Sequence, residues 1–300
     1  MINDKQEYKL QTICGYKKTR VRNKLERAIM NSNLEEAQYW CVELICSNLY
    51  LDLWDTLFMS YSKHIHLQNV KMPIVLMEYF KQFRKIANKS DITDLKNNIT
   101  IRRLFSRLIT LQVLSPKKHP LKKVTVPKED YEIVNLSKRL KATDRLIDDI
   151  WKKNDPDLLL IPGNELMFAL REKRSKDACY WVEWILGYER EMKSKKHPIS
   201  LEERQINGID VKHRRYLIWL VWEIFHNVCN KREGNDSLLL GKIVNTCQSL
   251  FIIRFSRGEI SRRRYLIYFV ISLLTEPYEY RSLDEYNGRI SHIESKLEQI

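Results

Sequence analysis

The chain has 300 residues, 44% hydrophobic and 30% charged, with only 8 glycines and 8 prolines. Such a mix is globular, and the scarcity of both turn formers excludes collagen-like, Gly-rich barrel and Pro-rich linker architectures while favouring helices. Lys and Arg number 52 against 38 Asp and Glu, a net charge of +14, so the protein's field attracts polyanions: nucleic acid first, acidic proteins and anionic membrane surfaces after it.

Residues 1–10 are polar and carry no apolar run of the kind a secretory signal needs. Lys17, Lys18, Arg20, Arg22 and Lys24 then place five cations in eight residues, just ahead of an apolar-periodic segment. Leu34, Ala37, Cys41, Leu44 and Ile45 recur at spacings of three and four and predict an amphipathic helix, with Asn33 and Glu36 in the pattern of a capping box at its start. Pro73 suits the first turn of a further helix over 74–86. Residues 115–130 hold Pro116, Pro120, Pro127 and five lysines, among them Lys117, Lys118, Lys122 and Lys123. Proline blocks helix continuation, so this stretch is expected to be a linker between an N-terminal helical domain, 1–114, and a C-terminal one, 131–300. Polar breaks follow at 193–209 and 230–236. The apolar stretches 216–225 and 265–275 are about half the ~20 residues that span a bilayer and are read as buried helices. Between them Arg254, Arg257, Arg262, Arg263 and Arg264 bracket Gly258. The fold class is all-α, in two helical halves.

An internal repeat links the halves. Leu25, Ala28, Ala37, Tyr39 and Trp40 are matched by Leu166, Ala169, Ala178, Tyr180 and Trp181 at an offset of 141, with Glu36 and Leu44 answered by Asp177 and Ile185. The shared A-x-Y-W pattern is expected to be a duplicated helical hairpin, the small alanines allowing close approach and the aromatic pair filling the angle.

Chemistry-bearing motifs are sparse. Neither G-x-x-x-x-G-K-[ST] nor G-x-G-x-x-G occurs, which removes P-loop nucleotide hydrolysis and a Rossmann cofactor site. G-x-S-x-G is absent, and the S-x-x-K of residues 60–63 stands without its companion boxes. His64 and His66, two apart on a helix, point to different faces, and His226 with Cys229 has no second pair. Asp148-Asp149 and Glu202-Glu203 read as solvated helix faces. No catalytic residue, metal ligand or cofactor is assigned. The six cysteines include no CxxC pair, as expected of a reducing compartment. The arginine and lysine clusters remain: the planar guanidinium suits phosphate. The candidate nucleic-acid contacts are therefore residues 17, 18, 20, 22 and 24; 117, 118, 122 and 123; and 254, 257 and 262–264.

Residues 20–85 carry a resemblance. Leu25, Ala28-Ile29, Ala37-Gln-Tyr39-Trp40 and the segment Ser62-Lys-His-Ile65-His-Leu67-Gln-Asn69 resemble the helical C-terminal collar domain of clamp-loader-like AAA+ ATPases, the replication-associated recombination proteins. The family's S-E-D-I-G-L-x-N segment has its acidic pair replaced here by Lys63-His64, and the ATPase core is missing. Ala178-Cys179-Tyr180-Trp181-Val182-Glu183-Trp184 also resembles a protein family of large DNA viruses. The resemblance implies an all-α collar that oligomerises beside DNA, in an intracellular setting: host cytoplasm, viral factory or nucleus. The expected function is a non-catalytic helical scaffold or accessory subunit of a viral replication, recombination or transcription assembly. Its partners would be other proteins of that assembly, DNA or RNA, and a second copy of the chain, with no membrane. The alternatives are an autonomous nucleic-acid-binding protein and a structural virion or assembly component.

Overall fold

The computed structural model describes residues 8–89, 91, 94–234 and 237–279. Among them the chain is all-α, with no strand and one isolated bridge between Gln11 and Lys17. It divides into two compact units: unit 2 is Leu121–Pro277, and unit 1 is the chain up to Pro120 together with Tyr278 and Glu279, so the C-terminal unit stops short of the expected 131–300. Unit 1 contains α1 (Lys18–Met30), α2 (Leu34–Cys46), α3 (Tyr50–Ser60), α4 (Met72–Ala87) and α5 (Ile99–Leu114). Unit 2 contains α6 (Leu160–Arg171), α7 (Ser175–Ser194), α8 (Ile218–Asn230), α9 (Ser237–Phe251), the short α10 (Arg257–Arg262) and α11 (Arg264–Thr275).

The division falls inside the expected linker, but that stretch is not free. Lys118 N–H donates to His64 O at 2.8 Å and His66 Nε2 lies 3.1 Å from His119 O, holding residues 115–120 in unit 1. Val124 N–H donates to the Tyr268 hydroxyl at 3.0 Å, holding the next residues in unit 2. The prolines end a helix as expected; the backbone then finds partners within each unit, because groups beside a core need hydrogen bonds as much as those in a helix.

In unit 1, α1 packs on α2 and α3, α2 on α5, and α4 on α5. Trp54 is buried at the centre, 5.2 Å from Phe80 and 5.0 Å from Phe105 between ring centroids. In unit 2, α6 packs on α7 and α8, α7 on α11, and α9 on α8 and α11. Its core is richer in Trp: Trp184, Trp219 and Trp222 are fully buried, and α8 is covered on nearly every face, as its apolar sequence predicts.

The two A-x-Y-W hairpins share the geometry of their turns and of the aromatic pair, but not their caps: Asn33 caps α2 with its side chain and Arg174 makes no such bond at α7. First helices end at Met30 and Arg171 and second helices begin at Leu34 and Ser175, each pair 141 apart. Ser32 and Lys173 both take a left-handed turn at φ 55°. Asn33 N–H donates to Ala28 O at 2.9 Å, and Arg174 N–H to Ala169 O at 2.7 Å. Tyr39 meets Trp40 edge-on at 4.8 Å and Tyr180 meets Trp181 at 5.1 Å. Only half of the expected capping box forms: Asn33 Oδ1 accepts from Glu36 N–H at 3.1 Å. The Asn33 N–H is already taken by Ala28 O, so the Glu36 carboxylate accepts from the Trp40 indole at 3.2 Å instead.

Candidate nucleic-acid interface

The five cations of residues 17–24 divide by which way α1 turns them. Lys17 and Arg20 are exposed. Lys18 and Arg22 each reach Asp52 at 3.2 Å, and Arg22 Nε also donates to Thr56 Oγ1 at 3.3 Å, so these two fasten α1 to α3. Lys24 sits 3.9 Å from Glu36, a half-exposed pair of little energetic weight. Lys17, Arg20, Lys24 and the exposed Arg27 follow one another at spacings of three, four and three. That spacing puts Arg20, Lys24 and Arg27 in one row, ~10 Å long at ~1.5 Å per residue, with Lys17 just before the first turn of α1. Arg27 escaped the sequence reading because it stands outside the dense run; its 3–4 spacing was the available signal.

Lys117 is turned inward. Its ammonium donates to the carbonyls of Gln112 (2.9 Å), Val113 (2.9 Å) and Ser115 (2.6 Å), closing the C-terminus of α5, and burial lowers its pKa to about 8. Lys122, Lys123 and Arg254 are exposed and Lys118 is half-buried. Arg257 lies over the Tyr216 ring at 5.7 Å. Arg262 is exposed and pairs with Glu259 at 2.8 Å.

Arg263 and Arg264 are interior groups, which corrects their assignment as surface contacts. Arg263 donates to Phe251 O at 2.9 Å and Ile253 O at 2.5 Å, supplying the donors that the end of α9 lacks. Arg264 Nε lies 2.5 Å from Glu183 Oε1, a buried carboxylate that also accepts from the Tyr268 hydroxyl at 2.9 Å. A second exposed basic row, Lys81, Arg84, Lys85 and Lys89, runs along and just past α4. Its cations alternate with core residues such as Phe83, so no local charge cluster marks it in the sequence.

The buried titratable groups are committed to structure. Glu26 Oε1 is 2.8 Å from both Lys63 Nζ and His64 Nε2. Burial alone would raise this carboxyl; the His64 and Lys63 hydrogen bonds and charges outweigh it and hold the pKa at about 2. His64 lies in a wide π-type turn, Tyr61–Ile65, followed by His66 at φ 32°. The two histidines turn to different partners, Glu26 and His119 O, and do not converge. His226 is 2.9 Å from Gln248 Oε1. Burial pushes the thiols of Cys41, Cys179 and Cys247 far upward, away from nucleophilic behaviour. Among the described residues no group of three or more His, Cys, Asp or Glu is placed to hold a metal ion.

The ion-pair network around Arg204 escaped the sequence reading altogether. Arg204 is buried in the polar stretch 193–209, bidentate to Asp155 at 2.6 and 2.8 Å and 2.9 Å from Glu223. Glu202 and Glu203, expected on a solvated helix face, sit half-buried in that same loop: Glu202 accepts from Asn154 N–H at 3.1 Å and Glu203 pairs with Arg214 at 3.3 Å. No described helix is long and apolar enough to cross a membrane. Compared with protein-family models, curated proteins and solved structures, the chain matches none of them.

Proposed function

We propose that the protein is a non-catalytic helical scaffold, an accessory subunit of a viral nucleic-acid assembly that lays basic helix faces against a phosphate backbone. One observation carries this reading: the solvent face of α1 presents Arg20, Lys24 and Arg27 in a single row with Lys17 at its entry, while its half-buried acid, Glu26, is occupied by Lys63 and His64. A row of that length meets several phosphates of one strand without reading base sequence. Arg20, Lys24 and Arg27 of that face lie in the segment resembling the clamp-loader collar; the replication, recombination or transcription setting rests on that resemblance, and the viral setting on the resemblance of residues 178–184. The matched hairpins support a further part of the reading, that the two units are copies of one module.

A salt-dependent gel shift with duplex DNA and duplex RNA tests it. Replacing Lys17, Arg20 and Arg27 with Gln should flatten the slope of log K on log salt by ~2–3 and weaken all sequences alike, at ~0.9 per phosphate on B-DNA. An unchanged slope, with helicity intact by circular dichroism, would reject the α1 face as the contact. Absence of binding by the full chain, together with stable capture of a partner protein, would leave the scaffold without its nucleic-acid contact.

A further inference from the structure

A cavity of about 670 Å³ opens in unit 2 where α6, α8 and α11 end. Four cations line it: Arg171 from the last turn of α6, Lys173 from the α6–α7 turn, and Lys231 and Arg232 just past the end of α8. Leu170, Val228 and Leu274 give it an apolar wall, and Glu276 is the carboxylate among its lining residues.

Part of this charge is needed by the fold. Three helix C-termini bring roughly half a negative charge each. Arg232 donates to the Leu274 carbonyl, and Lys231 pairs with Asp149, whose carboxyl is held low by Lys231, by Asn227 and by the charge of Arg171. Lys173 N–H donates to Leu170 O at 3.3 Å, but the side chains of Arg171 and Lys173 are both exposed and make no hydrogen bond or ion pair among the described residues.

Unit 1 shows what the same turn requires. The positions of Arg171 and Lys173 are occupied there by Met30 and Ser32, with the same backbone course and the same φ of 55° at Ser32 as at Lys173. One ammonium, Lys117, closes the end of α5 and lies 3.5 Å from Ser32 Oγ. The geometry of the turn therefore forms without cations at these two places. In unit 2 they flank a hollow with an apolar wall, of a size that takes a small organic ligand.

We propose that this cavity binds a phosphomonoester carried on a flat, partly apolar body, the chemistry of a nucleotide, either free or at the 5′ end of a strand. Arg171 and Lys173 take the phosphate, with Arg232 behind them, and the base or sugar rests on Leu170, Val228 and Leu274. This site is separate from the α1 face and stands whether or not that face binds a polyanion.

The test uses the full chain and titration calorimetry with AMP, with adenosine, and with one short oligonucleotide in 5′-phosphate and 5′-hydroxyl forms. AMP should bind and adenosine should not. The double substitution Arg171→Met and Lys173→Ser installs the residues of unit 1 and should weaken AMP by ~tenfold or more, the scale of lost charge-assisted contacts. If the double variant does not fold, Lys173→Ser alone should show the same direction. The Lys17, Arg20 and Arg27 variant should leave AMP affinity unchanged, which separates this site from the α1 face. Preference for the 5′-phosphate oligonucleotide over its 5′-hydroxyl form assigns the strand end as the source, and binding of AMP without that preference assigns the free nucleotide. Failure of AMP to bind, equal binding of adenosine, or unchanged affinity in the folded double variant overturns the proposal.

Discussion

Unit 1 and unit 2 start from hairpins with the same turn and the same Tyr–Trp contact, and then surround them differently. Over α2 the cover is residues 11–17: Ile13 N–H donates to Ser47 Oγ at 2.9 Å, Cys14 N–H to Glu43 Oε1 at 3.1 Å, and Tyr16 packs 5.4 Å from Trp40. Over α7 the cover is the pair of 3₁₀ turns Lys128–Tyr131 and Ile133–Arg139. Asp130 accepts from the Tyr180 hydroxyl at 2.5 Å and, through its carbonyl, from the Trp184 indole at 2.6 Å. Tyr131 lies so close to Gly187 that a Cβ there would come within 1.8 Å of its hydroxyl. The consequence is that Tyr39 is 51% exposed and Tyr180 only 7%. At the other end of the hairpin, Lys117 and the chain around it close unit 1, while unit 2 keeps a cavity. The hairpin is thus a local unit whose surroundings, not its own sequence, decide what each of its faces does.

Four experiments press on this comparison. The largest effect is expected at the Trp: Trp181→Ala should cost ~3–5 kcal/mol in chemical denaturation, since its ring is 2% exposed, and Trp40→Ala should fall in the same class. A small cost at either position would break the equivalence of the hairpins.

Next comes the acid limb of unit 1. Folding lowers the Glu26 pKa from 4.5 to about 2, so the unfolded state binds more protons between those values. The stability it contributes is complete above about 4.5 and is lost as pH falls toward about 2, at most ~3 kcal/mol. Unit 2 has Met167 at the matching position. Glu26→Gln should therefore remove this part of the acid transition of the protein, and an unchanged profile would place the charge elsewhere.

Lys117→Met should cost ~1–3 kcal/mol by leaving the carbonyls at the end of α5 without a donor. A neutral outcome by thermal melting would show that water replaces the ammonium and that this end of unit 1 is more open than its packing indicates. The smallest contrast is at the tyrosines. Tyr180→Phe loses a short bond to Asp130 and should cost ~1 kcal/mol, whereas Tyr39→Phe should stay within ~0.5 kcal/mol. Equal effects would mean that the two covers do the same job.

Much of the helix layout was legible from local pattern. The start of α2 at Leu34, the role of Pro73 in opening α4, and the burial of α8 follow from capping chemistry and 3.6-residue periodicity. The candidate interface was legible only in part. Lys17 and Arg20 stand exposed, but Arg27 and the α4 row belong to stripes whose cations are spaced among apolar residues, so no dense charge run marks them in the sequence. Lys117, Arg263 and Arg264 looked like surface cations and proved to be donors to helix ends or partners of a buried acid.

The sequence by itself determined the helical class, the turns of the two hairpins and the positive field, because each depends on residues within a few positions of one another or on a simple sum of charges. Only the tertiary structure decided which cations are free for a ligand. Arg264 is answered by Glu183, 81 residues away, and Arg204 by Asp155, 49 away. A buried guanidinium must find its carboxylate wherever packing brings one, since an unpaired charge in the interior costs several kcal/mol. That partner is set by how helices meet, and a spacing rule along the chain carries no record of it.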